Sequence, residues 1–209
     1  MSTNQAGVAE ALGDVLRFPA HIAPFYAVAE HGMTPSQPAL LDGQQPVFLE
    51  AVPRMPPGWR ELRRAGVLQM VHDGRTLDDA ARDGILTMGA EDVPDMQALT
   101  ALVYPAYFRE GTASLGRYVG LREQGRLIAM AGERMHPAGY REISGICTHP
   151  DHTGRGHARA LTVALMRHIA ATGDTPFLHV DAANARARAL YEKLGFVPRR
   201  ELTLVQFGQ

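Results

Sequence analysis

The chain has 209 residues, 45% of them hydrophobic, with 21 cationic and 22 anionic side chains and a net charge of −1. That size and apolar content suit one large domain or a domain with a smaller partner, and the near-neutral balance excludes a general attraction to nucleic acid or to an anionic membrane surface. One cysteine, Cys147, allows no intramolecular disulfide and fits a reducing cytoplasm; no stretch reaches the ~18 apolar residues of a membrane span.

In chain order, Val8, Leu12, Val15 and Leu16 predict a short helix, and Val47 to Val52 a strand. Pro57 to Ala65 predicts a brief helix around Trp59, followed by a strand over Val67 to Val71. Leu77 to Asp83 is polar and turn-like. It predicts a boundary between an N-terminal region, residues 1–82, and a second domain, residues 83–209.

Past the boundary, Ile85 to Met88 predicts a strand, and Asp92 to Leu102 a helix with Val93, Met96, Leu99 and Val103 on one face. Tyr104 to Gly116 is aromatic and glycine-containing, suited to the wall of a pocket. Strand patterns over Tyr118 to Arg122 and Arg126 to Met135 flank the turn Glu123-Gln124-Gly125, and His136-Pro137-Ala138-Gly139 leads into a strand over Tyr140 to Thr148. Three successive antiparallel strands follow from that spacing.

At Gly145 to Ala160 an apolar strand pattern passes through Pro150, Asp151, Gly154 and Gly156 into a helix with Ala158, Leu161, Leu165 and Ile169 on its period. Such a turn suits a phosphate. The first N–H groups of a helix have no intrahelical acceptor and lie at the positive end of its dipole, glycines let the backbone approach an anion, and Arg155 adds a cation. A short strand over Phe177 to Val180 comes next. Asn184 then reads as the N-cap of a helix that keeps Ala187, Leu190, Tyr191 and Leu194 on one face and stops at Gly195, and a last strand lies near Leu202 to Phe207.

Two of these segments share their wording with one family. Thr153-Gly154-Arg155-Gly156-His157-Ala158 resembles the acetyl-coenzyme A pyrophosphate loop of the GNAT superfamily of N-acetyltransferases, Gln/Arg-x-x-Gly-x-Gly/Ala, with Thr153 standing at the Gln/Arg position. Asn184 to Phe196 is similar to that family's Asn-x-x-Ala-x-x-Leu-Tyr-x-Lys-x-Gly-Phe at every defined position. The resemblance covers roughly residues 85–209; two-part acyltransferases of the glycine acyltransferase type carry an additional N-terminal half.

The resemblance implies an α+β fold, a central, mostly antiparallel mixed sheet flanked by helices, that moves an acetyl group from acetyl-CoA to a primary amine directly within a ternary complex. It implies a cofactor site formed by Ile146, Cys147, Thr148, Thr153, Gly154, Arg155, Gly156, His157, Ala158, Asn184, Ala187 and Tyr191. In the family the Asn contacts the cofactor and the Tyr points at its sulfur, and backbone N–H groups around Cys147 and Thr148 would hold the acetyl carbonyl. The expected partners are acetyl-CoA and an amine, in a monomer or homodimer without nucleic acid, membrane or metal.

Tyr191 is a suitable proton donor to the departing thiolate. For the base, Glu142 is the first choice and Glu133 the second, both strand carboxylates close to the turn. Cys147 and His149, two apart in an extended segment, share a face and form the alternative of a covalent acyl-cysteine route, while a catalytically silent acyl-CoA-binding module is the non-enzymatic alternative. His149, His152 and His157 have only Asp151 nearby and do not complete a metal ligand set.

Overall fold

The computed structural model describes residues 7–76, 82–105 and 107–209. Eleven strands form one sheet in the order β1-β2-β3-β4-β11-β5-β10-β9-β8-β7-β6. The strands are β1 Glu10–Leu12, β2 Val15–Arg17, β3 Phe25–Val28, β4 Val47–Leu49, β5 Arg60–His72, β6 Leu86–Met88, β7 Tyr118–Glu123, β8 Arg126–Glu133, β9 Tyr140–Thr148, β10 Thr175–Asp181 and β11 Phe196–Gly208. Described neighbours pair antiparallel except β3 with β4 and β9 with β10. The helices are α1 Val93–Val103, α2 His157–Ala171 and α3 Ala185–Lys193. The α+β sandwich expected from the sequence is therefore present, and none of its described helices is long and apolar enough to cross a membrane.

Two local expectations fail for identifiable reasons. The helix expected around Val8 to Leu16 is a hairpin, because Gly13 takes a left-handed φ of 63° and turns the chain between β1 and β2. Alternation then buries Val15 and leaves Leu16 outside. The helix expected over Pro57 to Ala65 is the start of β5, whose pairing with β11 runs from Arg60 opposite Gly208 to His72 opposite Phe196. A thirteen-residue strand flanked on both sides outweighs local helix propensity.

The hairpin between β7 and β8 turns where expected, with Gln124 and Gly125 both at positive φ, as a two-residue hairpin turn matching the strand twist requires. On one face of the sheet α2 and α3 pack Leu161, Leu165, Ile169 and Leu194 over Ile128, Ile143 and Leu178. On the other, Met96 and Leu99 of α1 cover Tyr118, Met130 and Cys147. The N-terminal strands have their own apolar cluster around Phe48 and Val205, and Phe18, Ile22 and Phe25 pack against Leu115 and Tyr107. The boundary expected between residues 82 and 83 adjoins residues 77–81, which lie outside the described residues. On its N-terminal side β5 is hydrogen-bonded to β10 and β11 from its C-terminal side.

Candidate active site

The site begins with a parting of two parallel strands. β10 pairs with β9 from Thr175 opposite Tyr140 to Leu178 opposite Ile143. Beyond that point β9 stays with β8, Cys147 opposite Met130 and Thr148 opposite Ala129, while β10 stays with β5, His179 opposite Gln69 and Asp181 opposite Val67. The register between β8 and β9 slips at this level, and Gly145 adopts φ 62°, forming a bulge. A wedge opens whose β9 side presents backbone groups with no partner strand.

One cavity of about 410 Å³ occupies the outer part of the wedge. It is lined by Ile146, Cys147 and Thr148 of β9, by Thr153, Gly154, Gly156, His157 and Ala158 of the turn and α2, and by Asn184, Ala187 and Tyr191 of α3. Eleven of the twelve residues expected at a cofactor site thus meet at one cavity; the twelfth, Arg155, does not line it. Its guanidinium points to Glu123, at 3.5 Å, which also lies 3.4 Å from His152.

The turn has the properties an anion requires. Gly154 and Gly156 sit at φ 79° and 76°, and a Cβ added to either would meet nothing within 4 Å, so the glycines serve the backbone conformation and leave open space beside it. Gly156 is the N-cap of α2 and supplies no capping side chain, leaving the first-turn N–H groups for a ligand. His157 is buried with neither ring nitrogen hydrogen-bonded among the described residues, and burial, followed by the charges of Arg82 and Arg155, lowers its pKa. These features fit the diphosphate of coenzyme A. Thr153 donates its hydroxyl to the Pro150 carbonyl at 3.2 Å and so serves the turn itself.

A second cavity, of about 330 Å³, lies on the inner side of the wedge and shares Ile146, Asn184, Ala187 and Tyr191 with the first. Tyr191 is therefore at the junction. Its ring packs edge-on against Phe196, 6.1 Å between centroids, and burial alone pushes its phenol up to about 12. Asn184 accepts the N–H of Ala187 at 3.0 Å through its side-chain oxygen, which fixes the start of α3 and hence the register that brings Tyr191 to the wedge. The far wall comes from the N-terminal region, Phe25, Leu49 and Arg63, and from Tyr104, Tyr107 and Phe108.

Glu142, expected as a free base, is otherwise engaged. It is fully buried, takes two hydrogen bonds from Arg134 at 2.9 and 2.5 Å, and accepts one from Nδ1 of His179 at 2.8 Å. Burial on its own would raise its pKa, but the Arg134 charge and then His179 outweigh that and hold the carboxyl at about 2. A carboxylate so stabilised is a poor proton acceptor, and Glu142 does not line the inner cavity, whereas Arg134 and His179 do. Glu133 faces Arg141 at 3.3 Å, His136 at 3.5 Å and His168 at 3.7 Å, also outside that lining.

The Cys147 and His149 pair is also dissolved. The ring of His149 is engaged away from Cys147: Nδ1 accepts the N–H of Asp151 at 3.2 Å, and Nε2 lies against the Arg126 guanidinium at 2.7 Å. Burial pushes the Cys147 thiol up to about 12, which disfavours the thiolate an acyl-cysteine route needs. Its neighbour is Tyr104, whose buried hydroxyl makes no hydrogen bond to any described residue other than this thiol. Tyr104 belongs to the aromatic run expected to wall a pocket, and it does line the inner cavity; Arg63, Arg134 and His179 carry no signal in the sequence, because they converge through long-range pairing.

Comparison with known proteins places this geometry in context. Residues 118–205 match the model of the FR47-like protein family. A solved structure from Novosphingobium aromaticivorans, assigned to the GNAT family of acetyltransferases, is 38% identical, superposes with a TM-score of 0.89, and aligns over 99% of this chain and 93% of its own. A GCN5-related N-acetyltransferase from Kribbella flavida shares the fold at a TM-score of 0.56 and 19% identity, over 96% of this chain and 88% of its own. Among curated proteins, the mycothiol acetyltransferase of Saccharopolyspora erythraea is 38% identical over 84 residues, 40% of this chain and 27% of that protein. The match spans only about a quarter of the length of that relative.

Proposed function

The chain belongs to the GNAT family of acetyltransferases, and from that premise we propose that it transfers the acetyl group of acetyl-CoA to a primary amine, directly, within a ternary complex. The observation that carries this reading is the position of Tyr191 between two cavities that meet at the wedge. One cavity has the backbone cradle for a diphosphate, and the other has room for an acceptor.

In this reading the Gly154 to Ala158 turn and the first turn of α2 hold the diphosphate, and Asn184 and the β9 edge from Ile146 to Thr148 orient the acyl chain. The cofactor supplies an acyl thioester. Of the two backbone N–H groups expected here, that of Cys147 lies on the side paired with Met130 of β8, and the wedge-facing Thr148 N–H holds the carbonyl oxygen where negative charge develops, a preorganised donor that does not require reorganisation. Tyr191 gives its proton to the departing sulfur, and the amine proton leaves through water, since both candidate carboxylates are committed to cationic partners. The high pKa of the buried Tyr191 phenol keeps it protonated until the thiolate forms.

The test is thiol release from acetyl-CoA with a panel of amino acids, polyamines, aminoglycosides and peptide N-termini, followed by initial-velocity analysis. Intersecting lines support direct transfer. Parallel lines with an acylated Cys147 would replace it with the covalent route, and saturable acetyl-CoA binding without turnover on any amine would leave a silent binding module.

A further inference from the structure

We propose that the acceptor carries a carboxylate remote from its amine, and that a third cavity lined by Arg63 and Arg109 receives that carboxylate. The inference rests on the amine-acetylating reading above and adds the acceptor's chemical class.

The cavity, of about 440 Å³, shares Arg63, Tyr104 and Tyr107 with the inner cavity, so the two meet at those side chains. Its polar lining comes from Arg63, Arg109, Gln45, Gln206 and Tyr107, and no described Asp or Glu contributes to it. The charges of the inner cavity are matched: Arg134 is held by Glu142, and Arg63 lies 3.4 Å from Asp181. Arg109 is different. Its guanidinium donates to the Ala20 carbonyl and has no carboxylate partner among the described residues.

Arg63 reaches the shared wall with Nη1 donating to the Tyr107 hydroxyl at 3.0 Å, which fixes its fork at the neck. Gln206 donates to Gln45 at 3.2 Å, so the amide hydrogens of Gln45 are left as further donors. A cavity with the Arg109 guanidinium facing no described carboxylate, with spare amide donors and with no acid in its own lining favours a planar anion, which an arginine fork binds with paired charge-assisted hydrogen bonds. With the acetyl group delivered at Tyr191, the amine lies on one side of the neck and the carboxylate on the other. An α-amino acid holds those groups too close together; an ω-amino acid or a short peptide spans the neck.

The full chain is assayed by thiol release with ε-aminocaproate, its primary amide and hexylamine. The acid is expected to show a KM roughly tenfold below the other two at similar kcat, as one charge-assisted contact provides. Arg109→Ala should bring the acid to the level of the amide, Arg109→Lys should restore part of the preference, and acetyl-CoA affinity should stay the same in both. Calorimetric titration of N-acetyl-ε-aminocaproate and its amide into the protein saturated with CoA reads the same preference without turnover. Arg109-dependent binding of the acid with no thiol release from any amine would refute the transferase reading and uphold the cavity. Equal KM or equal binding for acid and amide, binding of neither, or a preference that survives Arg109→Ala in a folded variant would overturn the proposal.

Discussion

Replacing Glu142 by Gln separates an ion-pair anchor from a catalytic base. The carboxylate is fully buried and bonded to Arg134 twice and to His179 once. Its pKa of about 2, against 4.5 for an ordinary glutamate, corresponds to stabilisation on the order of 3 kcal/mol for the charged form in the fold. Leaving Arg134 buried beside a neutral amide is expected to cost about 3 to 5 kcal/mol, although its cation–π contact with Phe25, 4.5 Å from the ring centroid, persists. Because the folded pKa lies below the unfolded one, this stability is fully present above about pH 4.5 and is lost as pH falls towards 2. Urea unfolding at neutral pH should therefore show a large loss in Glu142→Gln, and the difference from wild type should shrink as the pH is lowered through that window. Turnover per folded molecule should change only a few-fold. A variant of wild-type stability with turnover reduced by roughly 10²-fold or more would refute the ion-pair assignment and restore Glu142 as the base.

Four further outcomes are expected. Tyr191→Phe should slow turnover roughly 10²-fold with melting temperature and acetyl-CoA affinity near wild type; since burial keeps the phenol at about 12, wild-type kcat/KM should rise with amine deprotonation and show no descending limb up to about pH 10, and a descending limb below that, absent from the variant, would contradict this. Gly156→Asp should weaken acetyl-CoA binding tenfold or more by calorimetry, whereas Gly156→Asn, which tolerates the φ of 76° without adding charge, should bind far better; equal affinity for the two would remove the diphosphate from this turn. Cys147→Ala should retain activity within a few-fold, and complete loss in a stable variant that still binds cofactor would revive the covalent route. Glu123→Gln, which releases Arg155 at 3.5 Å and His152 at 3.4 Å, should tighten acetyl-CoA binding by about two- to threefold at low salt and hardly at all at high salt; an unchanged Kd at low salt would show that Arg155 does not sense the cofactor.

The part of the fold legible in the sequence is the part specified by neighbours in the chain. The Glu123-Gln124-Gly125 hairpin, the glycine turn into α2 and the Asn184 cap are local devices, and their residues lie where the wording of the sequence puts them. Thr153 stands where the family pattern has Gln or Arg, and its hydroxyl binds its own turn. The hairpin at Gly13 carries a helical signature because Val8, Leu12 and Val15 fall at i, i+4 and i+7, and the span is too short for that spacing to be tested against the turn at Gly13. β5 departs from the expected helix at its start because its conformation is imposed by β11, 148 residues away along the chain on the pairing of Arg60 with Gly208. The base was misjudged for a related reason. Glu142 has the alternation of a strand carboxylate, but Arg134, eight residues back, and His179, 37 residues on, reach it only when β8, β9 and β10 are assembled. Charge compensation of this kind leaves no periodic trace.

The placing of β11 between β4 and β5 also bears on how the molecule is made. These two strands precede β6 to β10 and all three helices in the chain, yet the strand that joins them follows all of those elements. Until it docks each presents an open edge, and the apolar cluster around Phe48 lacks Val205 and Phe207. A chain in which β11 has not yet docked therefore carries unpaired strand edges, which invite intermolecular pairing. Docking of β11 into this gap joins segments of high sequence separation, which is the kind of contact that slows folding.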